Sequence, residues 1–298
     1  MRIRVLVVLV ALAATVSACS SGADPTPTQP TSGTVGTAAF RCPTDQPTPS
    51  GDGGSDTLPT GATGALLCIG GAMDGPSEPL TTDVDWLVGV VNGQPVHAAH
   101  SDDACAGVGA PDWSLVFRYP SGTRVVRGNN GGCWTLLVGD SRRSGSRSVY
   151  DAFLQALLAQ RRDQEPPTTT RQAPPCPQPD HQPLASPLGD ATDLVTARWC
   201  TRSGARWHDG GVLTDAQRTT FVHDVATSAG REVRARTRIA CEGPPRAAGV
   251  LLGRDAWGDL VVVNTVCNRY LLFRPGQPRA VDVRMLPATY RLVSSLRQ

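Results

Sequence analysis

Lysine is absent from this chain: all 28 of its basic residues are arginine. That excludes a Schiff-base lysine, a lysine general base and the cation of a phosphate-binding P-loop. No Cys-x-x-Cys pair occurs among the nine cysteines, and their spacings are wide, which argues against a structural zinc site. A G-x-S-x-G elbow and the glutamate of an H-E-x-x-H helix are missing as well. Large apolar residues are almost lacking between Ser20 and Arg41, a stretch of Ser, Thr, Pro and Gly that cannot bury enough surface to fold. It reads as an extended tether, residues 19–41.

What is present begins with Arg2 and Arg4, followed by the apolar VLVVLVALAATVSA, and has the form of a secretory signal over residues 1–18. Beyond Cys19, eight cysteines fall into two sets, Cys42, Cys68, Cys105, Cys133 and Cys176, Cys200, Cys241, Cys267. Successive members of the two sets are offset by 134, 132, 136 and 134 residues, which points to an internal duplication. In an exported chain an even count reads as a disulfide framework. Pairing within each set leaves three arrangements per set. Cys42–Cys68, Cys105–Cys133, Cys176–Cys200 and Cys241–Cys267 are the favoured ones.

The two halves follow one pattern. In the first, Gly64 to Ile69 reads as a buried strand. Pro79 to Asn92 is expected to form a helix, with Thr82 as N-cap and Val84, Leu87, Val88 and Val91 on one face. Cys105 to Cys133 follows, two strand-like runs hinged at Pro120-Ser121-Gly122, then a strand in WTLLVG. A helix from Ser148 to Arg162 closes the half, with Ser148 and Asp151 as a capping pair. In the second half the corresponding stretches are a strand from Asp193 to Cys200 and a helix from Thr214 to Ser228 with a Thr214/Gln217 capping box. A hairpin hinged at Asp255 to Asp259, a strand in NRYLLF and a helix from Pro287 to Leu296 complete it. The expected class is α+β: two tandem disulfide-stabilised repeats, each a small antiparallel sheet with two helices in the order β-α-β-β-β-α. The domains are residues 42–162 and 176–298, joined by a Pro-rich linker, 163–175. From Cys42 to Glu165 there are 8 Arg and 14 acids, and from Pro166 to Gln298 17 Arg and 11 acids. These opposite balances of −6 and +6 would help the halves dock, or give the second an anionic partner.

Few residues invite a chemical role. His97 and His100, followed by Asp102 and Asp103, are the best metal-like cluster, but Gly93, Pro95 and Ser101 mark a loop. His208-Asp209 and His223-Asp224 lack a serine in an activating context. Gly139-Asp140-Ser141 reads as loop, with Arg142 where the GDSL hydrolase motif has leucine. The six tryptophans, Trp86, Trp113, Trp134, Trp199, Trp207 and Trp257, are read as core and turn residues before a sugar-stacking platform. Arg234, Arg236 and Arg238 would share one face of a strand, an arginine row suited to phosphate or carboxylate groups.

Val16-Ser17-Ala18-Cys19, followed by Ser20-Ser21-Gly22, resembles the signal of bacterial lipoproteins, which implies cleavage before Cys19 and lipidation of it. Acyl chains contribute about 0.8 kcal/mol per buried CH₂, so two or more would hold the chain on the outer face of the cell membrane. Cys68, Asn92, Tyr119-Pro120-Ser121-Gly122, Gly132-Cys133 and Gln160-Arg161 form a pattern that resembles uncharacterised secreted proteins of high-GC Gram-positive bacteria. The second half keeps the cysteines but loses Tyr-Pro-x-Gly and Gln-Arg. Cys241, Trp257-Gly258 and Asn264-Thr265-Val266-Cys267 are faintly similar to the subtilisin-inhibitor-like family. Its protease-binding loop would fall at Glu242-Gly243-Pro244. The reading is therefore a lipid-anchored extracytoplasmic protein, non-enzymatic, that binds a wall polymer or envelope protein. A protease-inhibitor-like module and an envelope hydrolase are the alternatives. No cofactor, metal or nucleic acid is expected.

Overall fold

The computed structural model describes residues 41–42, 56–70, 74–96, 112–129, 135–168, 171–179, 183–228, 231–232, 249–275 and 280–296. Its elements, in chain order, begin with β1 (Gly64–Ile69), α1 (Val84–Asn92), β2 (Asp112–Tyr119) and β3 (Gly122–Asn129). Next are β4 (Leu136–Val138), β5 (Ser141–Arg143) and α2 (Ser146–Arg162). After a 3-10 turn at Ala191–Asp193 come β6 (Leu194–Ser203), β7 (Arg206–Val212) and α3 (Asp215–Ala226). The chain ends with β8 (Gly249–Asp255), β9 (Leu260–Val266), β10 (Arg269–Leu272), β11 (Val281–Arg284) and α4 (Pro287–Ser295). The class is α+β. Two antiparallel sheets are present, one ordered β1-β2-β3-β4-β5 and one β11-β10-β9-β8-β6-β7.

Strand alternation decides what each sheet buries. In β2, Trp113, Leu115, Phe117 and Tyr119 point to the helices, where they meet the α1 stripe Val84, Leu87, Val88 and Val91 and the α2 residues Val149, Phe153, Leu154 and Leu157. The second core joins Ala197 and Trp199 of β6 to Leu251, Val261, Val263 and Tyr270, beneath Phe221 and Val225 of α3 and Val293 of α4. The buried tryptophans demand glycine opposite them. A Cβ on Gly128 would lie 2.1 Å from the Trp113 ring, and one on Gly249 2.3 Å from that of Trp199.

Several expectations need correction. The helix expected from Pro79 starts only at Val84, because the preceding residues have stronger partners elsewhere. Leu80 exchanges backbone hydrogen bonds with Ala65 at the β1 edge (2.8 and 2.9 Å), and the backbone N–H groups of Thr81 and Thr82 donate to Gln160 Oε1. Asp83, at φ 53°, takes the cap position without a side-chain bond. Helix α2 begins two residues before Ser148. Its cap is Gly145 at φ 88°, where a Cβ would also strike Gln94 Oε1. Strands β5, β7 and β11 exceed the expected order. Gly139-Asp140 is the two-residue turn between β4 and β5, not an open loop. The Thr214/Gln217 capping box is present, with Gln217 N–H donating to Thr214 Oγ1 and Thr214 N–H to Gln217 Oε1.

Two disulfides, Cys42–Cys68 and Cys176–Cys200, pin the chain before each sheet to its first strand. Closing loops of 26 and 24 residues, each is worth roughly 3 kcal/mol. Cys267 is disulfide-bonded; Cys241 and the Cys105–Cys133 pair lie outside the described residues. All described residues belong to one compact unit, Ala39–Gln298. Leu188, in the segment leading to β6, is buried in the core of the first sheet, so the two sheets share packing.

Candidate functional site

The sheets differ on the faces turned away from their helices. On the second, Cys200, Val250, Leu252 and Val262 are packed against Cys176, Ala185 and Trp207. On the first, Leu66, Cys68, Val116 and Val125 form only a small apolar patch. Beside that patch the register aligns Cys68, Ser114, Arg127, Leu137 and Arg142 in one row across all five strands. A cavity of about 570 Å³ opens over this row. Asp112, Asn129 and Thr135 line it from the sheet end, and the Cys42–Cys68 disulfide from the β1 side.

Alternation explains why these side chains meet. Burying Trp113, Leu115 and Phe117 turns Asp112 and Ser114 to the opposite face, and burying Val126 and packing Gly128 on Trp113 does the same for Arg127 and Asn129. Arg127 is half-buried, and its Nη2 has no hydrogen-bond partner among the described residues. Leaving a buried donor unmatched costs about 1–3 kcal/mol, more for a charged group. Arg142 is exposed at the rim. Asn129 Oδ1 accepts from Thr135 N–H (3.2 Å), tying the cavity's end wall together.

A second charged cluster joins the sheets. Arg161, near the end of α2, has a side chain 6% exposed; its Nε lies 2.5 Å from Glu78 Oε1 and its Nη2 2.7 Å from Asp259 Oδ2. Its guanidinium stacks over the Trp257 ring, 4.9 Å from the centroid. Arg254 reaches back to Asp74 at 2.8 Å. Asp255 accepts from the backbone N–H of Asp190 (3.1 Å) and of Asp259 (2.9 Å). Burial, with the Asp259 charge beside it, pushes the Asp255 carboxyl up to about 7. Burial also raises Asp259, against the pull of Arg161. Every carboxylate here is engaged by Arg161, by Arg254 or by backbone amides, so the group clamps the β8–β9 turn to the first sheet.

No family model, curated protein or solved structure matches this chain. The site's chemistry rests on its own geometry.

Most residues singled out from sequence lie elsewhere. Cys19, His97, His100, Asp102, Asp103, Trp134, the Arg234, Arg236, Arg238 row and the positions after Cys105 and Cys241 are outside the described residues. His223 is exposed on α3, while its neighbour Asp224 is buried, paired with Arg231 at 2.6 Å and accepting from Leu286 N–H. His208 is exposed on β7, and Asp209 beside it pairs with Arg198. Trp113 and Trp199 are core residues, Trp207 lies under Arg202 (5.7 Å), Trp257 under Arg161, and Trp86 is exposed on α1. Among the described residues no group of three His, Cys, Asp or Glu could hold a metal, and no helix is long and apolar enough to cross a membrane. Arg127 was hidden in the sequence because its neighbours in the row arrive from four other strands; only the strand register brings them together.

Proposed function

We propose that this chain is a lipid-anchored, extracytoplasmic, non-enzymatic protein that binds a cell-envelope component, a wall polymer or an envelope protein, outside the cell membrane. The lipoprotein-like Val16-Ser17-Ala18-Cys19 and the Pro/Thr-rich tether support the anchor. Two halves descended from one duplicated unit are supported by the cysteine offsets and by the order of pairing. Leaving out β7, the succession β6-β8-β9-β10-β11 matches β1-β2-β3-β4-β5, with α1 and α3 after the first strand and α2 and α4 at the end. Cys68 and Cys200 fall on the matching strands β1 and β6.

The observation that carries the binding reading is the polar cavity over the first sheet, lined by Arg127, whose Nη2 has no hydrogen-bond partner among the described residues. Among the described residues that line it, the charged groups are Arg127, Arg142 and Asp112. Concave, largely preformed sites with a few convergent polar groups are the ordinary form of ligand pockets. The test is co-sedimentation of Ala39–Gln298, disulfides intact, with purified cell-wall sacculi. Pelleting that weakens as salt rises is expected from a guanidinium-based contact. Absence of pelleting at every salt concentration removes the wall-polymer reading and leaves a protein partner to be sought.

A further inference from the structure

Resting on that binding reading, we infer that the cavity takes the carboxylate of an acidic sugar, with Arg127 as its deep anchor and Arg142 as the rim contact. The two arginines stand on one cross-sheet row with Leu137 between them. Strands in a sheet are spaced about 4.8 Å apart, so the backbones of β3 and β5 lie roughly 10 Å from each other. An anion seated over Leu137 is within reach of both guanidinium groups. Among the described residues neither arginine has an ion-pair partner, and Arg127 Nη2 has no hydrogen-bond acceptor. Two like charges on one face repel, and a shared carboxylate removes that repulsion while accepting from both forks.

The remaining lining narrows the anion's class. Asp112 at the cavity edge repels a second negative charge, which favours a monoanionic carboxylate over a doubly charged phosphate. Ser114, Asn129 and Thr135 supply two hydroxyls and an amide, which match the hydroxyls or acetamido group of a sugar ring. Leu137 offers apolar surface for a ring's C–H face. At about 570 Å³ the space is within the ordinary range of small-ligand sites.

Calorimetric titration of the full chain in detergent micelles with D-glucuronate, D-glucose and inorganic phosphate tests this assignment. D-glucuronate is expected to bind, with D-glucose and phosphate each at least tenfold weaker. Arg127→Gln should weaken D-glucuronate tenfold or more. Arg142 is exposed, so Arg142→Glu leaves the fold intact and should weaken it to a similar degree. Phosphate binding as tightly as D-glucuronate, or unchanged affinity in Arg142→Glu, overturns the assignment. Displacement of the chain from sacculi by free D-glucuronate assigns the carboxylate to a wall polymer; binding without displacement assigns a free sugar acid, and both outcomes support the site. If sacculi pellet the chain but D-glucuronate does not bind and Arg127→Gln pellets unchanged, the envelope-binding reading stands and this site falls. If neither sacculi nor D-glucuronate binds, this site and the wall-polymer reading both fall.

Discussion

Asp255 shows how one side chain can serve a turn and charge the fold for it. Its two carboxylate oxygens accept from two backbone N–H groups, which fixes the start of the β8–β9 turn and the entry to β6. The cost is a buried negative charge beside Asp259, and this lifts its proton affinity to about 7. An unfolded aspartate titrates near 4. Between those values the folded chain holds a proton that the unfolded chain has released, so stability falls as pH rises from about 4 to about 7, then levels. The raised carboxyl of Asp259 acts in the same direction. Chemical denaturation across that range should show this decline in the native chain and a flatter profile in Asp255→Asn. An equal slope in both would mean that Asp255 is ionised throughout. Arg127 poses the opposite case, a half-buried positive group with no ion-pair partner among the described residues, and that contrast is why one cluster reads as a clamp and the other as a binding site.

At the scale of elements, three sequence signals for a helix start were available, and only one became a cap. Thr214 and Gln217 form a reciprocal box at α3. Thr214→Ala should therefore cost about 1 kcal/mol in denaturant unfolding. Ser148 is exposed inside α2, so Ser148→Ala should be neutral or slightly stabilising, as alanine is the better helix former. A loss at Ser148 equal to that at Thr214 would contradict the observed helix start. Thr82 failed as a cap for a reason invisible locally: Gln160, 78 residues away, accepts from its backbone N–H, and Leu80 is drawn to the β1 edge. Apolar periodicity was legible because it is local. It located β1, α1's stripe, both hairpins and the closing helices to within a few residues. Strand β7, RWHDGGV, was not, since a mostly exposed strand at a sheet edge has no alternation to display. The cavity escaped for the same reason: Ser114, Arg127 and Arg142 are ordinary strand residues until β2, β3, β4 and β5 pair in register.

The molecule as a whole is joined by two unlike means. Leu188 places an apolar side chain from the second half in the core of the first, and Arg161 holds Glu78 of its own half and Asp259 of the other out of water. Opposite net charges on the halves would favour their approach, and the contact is made specific by this buried guanidinium with its Trp257 lid and by the Arg254–Asp74 pair. Removing a single member of such a group is worse than never having built it, because the partners are left buried and unpaired. Arg161→Met should thus cost about 3–5 kcal/mol, although methionine roughly keeps the packing of the arginine stem. Leu188→Ala should cost about 2–5 kcal/mol through the void it leaves. Scanning calorimetry of Ala39–Gln298 should give one cooperative transition for the native chain. The double variant should resolve into two, because each half retains its own sheet, helices and disulfide while the most buried ties are gone and the partly exposed Arg254–Asp74 pair remains. Two transitions already present in the native chain would show that the clamp orients the halves without coupling their folding.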